Sequence, residues 1–226
     1  MKSCRLLPRC LLIVLLGLAW SGPAHARNVH ASSAQVYLLR GIFNVSVGLD
    51  ALADKLRRIG IAATVYGHEE EGTVAADALQ QYQAGGAHPI ILVGHSLGAG
   101  AAVSVARRLG NSGIPVALAV LLDPVSSAAV PSNVGRAINF YVSGGLGTTV
   151  QAEAGFRGSV ANMDFKNAGM DHMSIQAADP IHRQIIGYIR AAATGAAGGH
   201  EASPSAGRAA RALHRHRHAD GAHRQS

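Results

Sequence analysis

Short, wholly apolar runs alternate along the chain with segments that turn apolar every third or fourth residue. Residues 34–39 (AQVYLL) read as a buried strand. Residues 47–60 place Leu49, Leu52, Leu56 and Ile59 at helical spacing, with Gly60 as a stop. Residues 61–67 predict a second strand, and residues 73–86 a second helix with Thr73 as its N-cap. A third strand over 89–94 leads into a third helix beginning at residue 96. Residues 116–125, 137–144 and 158–165 predict three more strands. A closing helix spans 180–193, with Asp179 as N-cap and Pro180 in the first helical position. The strands are apolar at successive positions, so both of their faces must be covered. The pattern predicts an α/β domain over residues 27–193, with about six mostly parallel strands and helices on both faces of the sheet.

Both ends of the chain depart from this pattern. Residues 1–9 are basic, residues 10–20 are apolar, and Ala24-His25-Ala26 follows. That order is the order of a secretory signal peptide, which predicts cleavage after Ala26 and a secreted or periplasmic mature protein. The apolar run is shorter than the roughly 20 residues a membrane span needs, so no transmembrane anchor is expected in the mature form. Residues 194–226 are rich in Ala, Gly, Ser, Arg and His, a composition that predicts a disordered tail.

The ends also explain the net charge of +7. Lys2, Arg5 and Arg9 lie in the leader, and Arg208, Arg211, Arg215, Arg217 and Arg224 lie in the tail. The stretch between is almost balanced, which argues against a nucleic-acid partner. Cys4 and Cys10 both belong to the leader. A mature chain without them has no disulfide, no thiol nucleophile and no cysteine-based zinc site.

The strongest candidate chemistry is Gly94-His95-Ser96-Leu97-Gly98. In a chain with 27 glycines such a pentapeptide arises by chance about 0.2 times, so the pattern alone decides little. Its position decides more. It follows an apolar strand and opens an Ala-rich helix, which is the strand–turn–helix setting of a nucleophile elbow. Ser96 is the predicted nucleophile. Glycines on either side let strand and helix approach closely, and the helix N-terminus supplies free N–H groups. His95 is expected to pack beneath the turn, outside any proton transfer. Glu69-Glu70-Glu71 reads as a solvated loop. No zinc spacing, phosphate loop or dinucleotide fingerprint occurs, so no metal or cofactor is predicted.

Across roughly residues 34–193 the chain resembles the α/β-hydrolase family, and GHSLGAG is similar to the elbow of its lipases, esterases and thioesterases. The resemblance implies a triad in the chain order serine, acid, histidine. Asp123, at the end of the fourth strand, takes the acid's place, with Asp164 as runner-up. The strand one later ends in Ser143-Gly144-Gly145 and offers no carboxylate until Glu153. Asp171 adjoins the base and is expected to point elsewhere. His172, between the last strand and the closing helix, takes the place of the base. His68, His88 and His182 compete for that role, and His182 reads as a surface residue. The implied oxyanion hole uses the backbone N–H of Leu97 and that of Ile42, with Phe43 as the alternative by a one-residue shift. Residues 126–137 are too few for the lid domain the family often inserts there. The resemblance thus implies a serine hydrolase with an open site, acting on small-molecule or lipid acyl esters or thioesters with short or medium acyl chains. A catalytically silent binding protein, an acyltransferase and a peptidase remain the alternatives on the same scaffold.

Overall fold

The computed structural model describes residues 34–85 and 88–195. The predicted leader, and the predicted tail beyond Gly195, lie outside the described residues. In chain order the elements are β1 (Gln35–Leu39), α1 (Gly48–Arg58), β2 (Ala62–Tyr66), α2 (Glu71–Gln83), β3 (Ile90–His95) and α3 (Leu97–Asn111). They continue with β4 (Leu118–Leu122), β5 (Ala129–Val130), β6 (Arg136–Tyr141), β7 (Gln151–Ala152), β8 (Ser159–Asp164) and α4 (Asp179–Ala193). Among the described residues, no helix is long and apolar enough to cross a membrane.

Six strands form one sheet in the order β2-β1-β3-β4-β6-β8. Every pairing in it is parallel. The short β5 and β7 pair with each other beside it. Their two-residue lengths leave no periodicity in the sequence, which is why the apolar pattern does not predict them.

The wholly apolar strands are explained by the two cores. On one face, Leu49, Leu52 and Leu56 of α1 and Ile181, Ile185 and Ile189 of α4 pack against Val36, Leu38, Ile91 and Val93. On the other face, Val74 and Ala78 of α2 and Ala99, Ala102 and Val105 of α3 pack against Tyr37, Leu39, Ile90 and Leu92. Successive residues of β3 therefore serve opposite cores, and both sets must be apolar.

Three local expectations need correction. Helix α2 starts at Glu71, two residues before Thr73, and a 3₁₀ turn at His68–Glu70 leads into it. The Glu70 carboxylate accepts the Gly67 N–H at 2.7 Å, so the turn is capped before Thr73 is reached. For the same reason Glu69-Glu70-Glu71 is not a loop; it builds that turn and opens the helix. Helix α4 is capped by Ala178, whose backbone is extended. Asp179 lies inside the helix and bonds Lys55 of α1 at 2.5 Å instead.

The sheet places the carboxyl ends of all six strands on one edge. The connection after β1 runs to the face of α1, and that after β3 to the opposite face of α3. The strand order reverses there, and the loops diverge to leave a crevice. Among the described residues no helix is inserted between β4 and β6, so nothing helical roofs this edge from that connection.

Candidate active site

The chain leaves β3 into α3 through Ser96, whose φ is 59° and ψ −123°. Such a backbone costs a non-glycine residue on the order of 1–3 kcal/mol, and it holds the side chain out of the turn. Steric demand explains the flanking glycines. A Cβ on Gly94 would collide with the Gly98 carbonyl, and one on Gly98 with the carbonyls of Leu39 and Arg40. The turn is further pinned by the Ser96 N–H, which donates to the Leu122 carbonyl at 2.9 Å.

Asp123 follows β4 directly and is also left-handed, with φ 47°. Its side chain is fully buried, which an ionised carboxylate tolerates only when its oxygens are bonded. The Val142 N–H donates to Oδ1 at 2.7 Å. His172 Nδ1 lies 2.7 Å from Oδ2. Because the carboxylate can only accept, Nδ1 carries the proton, and His172 Nε2 is left as an acceptor. The Ser96 hydroxyl, 3.0 Å away, donates to it. Ser96, His172 and Asp123 thus form one continuous chain of hydrogen bonds with a defined direction. A chain of this geometry can pass the serine proton to the imidazole while the carboxylate holds the tautomer.

The other candidates are engaged elsewhere. Asp164 accepts from the Ser143 hydroxyl at 2.5 Å and from the Lys166 N–H at 2.9 Å. Burial pushes its carboxyl up, but these bonds and that from the Ser143 N–H hold it below the usual range. Asp171 turns back on its own loop, accepting from the N–H groups of Ser174 at 2.7 Å and Met173 at 3.0 Å. His68 pairs with Glu69, and His88 is exposed. His182 is not a surface residue: it is buried, with Nε2–H donating to the Gln176 carbonyl at 2.8 Å and Nδ1 2.9 Å from Lys55 Nζ.

The two predicted oxyanion donors open segments that border Ser96. Leu97 is the first residue of α3, ahead of that helix's own hydrogen-bond ladder. Ile42 opens a 3₁₀ turn, Ile42–Asn44, that follows Gly41. A Cβ on Gly41 would come within 2.9 Å of Ser96 Cβ, so this loop lies directly against the elbow. Phe43, the one-residue alternative, has φ 53° and is 84% exposed.

Sequence reasoning missed Ser46, Gly147 and the part played by His95. Gly147 backs onto the acid: a Cβ there would collide with Asp123 Oδ1. Its loop is tied down by the Thr148 N–H to the Pro124 carbonyl at 2.9 Å and by Asn162 bonds to the Val150 backbone. No local signal marks these residues, because their partners lie far away in sequence. His95 does pack beneath the turn, as expected, but it bonds two other loops of the site.

No protein-family model matches this sequence. A search of curated proteins likewise finds no match. Similarity appears at the level of structure. Human thioesterase 2 aligns over 75% of this chain and 100% of its own, with 12% identity and a TM-score of 0.53. The fold is that of the α/β-hydrolases. The RedJ thioesterase from the prodiginine biosynthetic pathway of Streptomyces coelicolor covers 71% of this chain and 86% of its own, with 10% identity and a TM-score of 0.47. A cutinase-like protein from Cryptococcus sp. covers 72% of this chain and 95% of its own, with 16% identity and a TM-score of 0.41. Within the α/β-hydrolase fold, the crevice edge described above carries the elbow, the buried acid and the histidine loop together.

Proposed function

We propose that this protein is a serine hydrolase that cleaves carboxylic esters or thioesters through an acyl-enzyme on Ser96. The observation that carries the proposal is the directed chain from Ser96 Oγ through His172 to the fully buried Asp123. In this reading Ser96 Oγ attacks the acyl carbon as its proton passes to His172 Nε2. The carbonyl oxygen becomes an oxyanion, received by the N–H groups of Leu97 and Ile42. His172 returns the proton to the departing alkoxide or thiolate, and the acyl group stays on Ser96. Water then attacks as His172 takes its proton, His172 returns that proton to the departing Ser96 Oγ, and the carboxylic acid leaves.

An apolar acyl group is supported by the rim. Ile42, Phe43, Leu97, Leu146 and Met173 are large apolar side chains left exposed, and each lies within two residues of Gly41, Ser96, Gly147 or His172 in the chain. We infer that short and medium acyl chains lie on this open rim without a lid. The order of residues 1–26 supports action outside the cytoplasm, which N-terminal sequencing of the exported protein tests.

The deciding experiment is intact-mass spectrometry after incubation with a fluorophosphonate and, separately, with a chromogenic ester at short times. The reading expects a single adduct on Ser96 and a transient acyl mass. An intact protein that turns over no ester or thioester and takes no adduct at Ser96 would refute it.

A further inference from the structure

A second chain of polar groups runs beneath Ser96, and the acyl-enzyme chemistry does not use it. Ser46 is fully buried and His95 is 1% exposed. His95 Nε2 lies 2.8 Å from the backbone carbonyl oxygen of His172. A carbonyl only accepts, so Nε2 carries the proton. Burial drives the His95 imidazole down to about 4, so the ring is neutral and Nδ1 is an acceptor. The Ser46 hydroxyl, 2.7 Å away, must then donate to Nδ1. Its oxygen is left to accept, and it does so from the Gly41 N–H at 2.9 Å. Each group has one role open to it, so the direction runs unbroken from Gly41 through Ser46 and His95 to His172.

We propose that Ser46 and His95 are a positioning pair that fastens the oxyanion loop and the base-bearing loop to the same elbow. The inference rests on the serine-hydrolase reading above and adds what aligns its parts. The pair's two outer partners are the N–H of Gly41, next to Ile42, and the carbonyl of His172 itself. Both segments need an external hold. The first contains two left-handed residues in a row, Phe43 and Asn44. The second, between β8 and α4, has only a 3₁₀ turn at Lys166–Ala168. The His95 and His172 rings also pack with centroids 4.7 Å apart, which limits rotation of the base. An aliphatic side chain could fill the space under the elbow without the cost of burying a polar group, but it could not hold either loop. Without the pair, His172 drifts relative to Ser96 Oγ, and a displacement of about 1 Å costs on the order of 10²-fold in rate.

The test uses the full chain, p-nitrophenyl butyrate and four variants. His95→Asn keeps a polar atom toward Ser46 but falls short of the His172 carbonyl. His95→Gln can carry an N–H to that carbonyl. We expect His95→Asn to lower kcat by about 10²-fold with KM changed by no more than about twofold, and His95→Gln to recover about tenfold of the loss. Ser46→Ala should lower kcat by about tenfold, and adding it to His95→Asn should cost little more, because the two act in one chain. Wild-type kcat in His95→Asn, no recovery in His95→Gln, or losses that multiply in the double variant would overturn the pair. Should His95→Asn not fold, Ser46→Ala decides together with the downfield proton resonance of the His172–Asp123 bond. A reduced kcat with a shifted resonance supports the pair, and no change in both overturns it. An active Ser96→Ala would instead strike the serine-hydrolase reading. Inactive Ser96→Ala beside fully active Ser46→Ala and His95→Asn would leave that reading standing and remove only this one.

Discussion

Residues 94–98 and residues 165–178 both border Ser96, and they are held there in different ways. The elbow is held mainly by steric necessity, Gly94 against Gly98 within the turn and Gly98 against the end of β1. Gly94 and Gly98 have no room for a Cβ, and the strained Ser96 is trapped between β3 and α3. The base loop is held by hydrogen bonds from other elements, two of them far away in sequence. His95 donates to the His172 carbonyl, His182 to the Gln176 carbonyl, and Gln176 accepts the Gly48 N–H at 2.7 Å. The local device is rigid and readable in sequence. The distributed one depends on buried polar groups, each of which must remain neutral or bonded.

The contrast is tested first at the hydrogen-bonded chain joining the two regions. Ser96→Ala and His172→Ala should each lower kcat on a chromogenic ester by about 10⁶-fold with a native circular-dichroism spectrum. Asp123→Asn should cost about 10⁴-fold, because an amide cannot fix the imidazole tautomer. Asp164→Asn should leave the rate within a few-fold. Strong loss in Asp164→Asn with an active Asp123→Asn would reverse the acid assignment.

The next largest effect concerns the support of Asp123. Gly147→Ala drives a Cβ into the buried carboxylate and should lower kcat by about 10²-fold. Gly100→Ala is the control. It meets nothing within 4 Å, and as the fourth residue of α3 it should raise stability by up to about 0.5–1 kcal/mol. Equal, small effects of both substitutions on kcat would mean that the packing on Asp123 carries no functional weight.

Acid should weaken the distributed device. His95 takes up a proton near pH 4 when folded, against 6.5 for the ordinary imidazole. Between those values the unfolded chain binds the proton and the folded chain does not. Stability therefore falls as pH drops from about 6.5 to about 4 and levels off below. The His95 share is on the order of 3 kcal/mol. His182, also lowered by burial, adds a loss of the same sign. Urea melts across this window check the slope, which should be shallower in His95→Gln. Identical slopes for the two proteins would show that His95 is not the group responsible.

The smallest effect is expected at the rim, which neither device restrains. Phe43→Asn removes exposed apolar surface, and Asn tolerates the left-handed backbone. It should lower kcat/KM by roughly threefold on an octanoyl ester, leave an acetyl ester unchanged and leave the melting temperature near that of the wild type. Equal effects on both esters would place Phe43 away from the acyl path.

Some of this molecule was legible along the chain because its causes are local. Continuous apolar strands require two covered faces, and a sheet covered on both faces is what formed. Gly94, Ser96 and Gly98 lie within five residues, so their pattern is written where they stand, although the clash that keeps position 98 a glycine comes from Leu39 and Arg40 at the end of β1. The expected caps at Thr73 and Asp179 failed because competing partners lay in other turns: the Glu70 carboxylate took the Gly67 N–H, and Lys55 of α1 drew Asp179 away. Chain position put Asp123 ahead of Asp164 only through the family resemblance, since both carboxylates end strands on the same edge and local composition does not separate them. Tertiary packing separates them by turning one carboxylate toward His172, 49 residues away, and the other toward Ser143 and Lys166. It likewise turns Ser46 and Gly147 from unremarked positions, and His95 from a residue expected only to pack, into neighbours of the reacting groups. Sterics between adjacent residues act before the chain folds. A buried hydrogen bond across 49 or 76 residues is defined only after the sheet has brought its strand ends together and excluded water from around them.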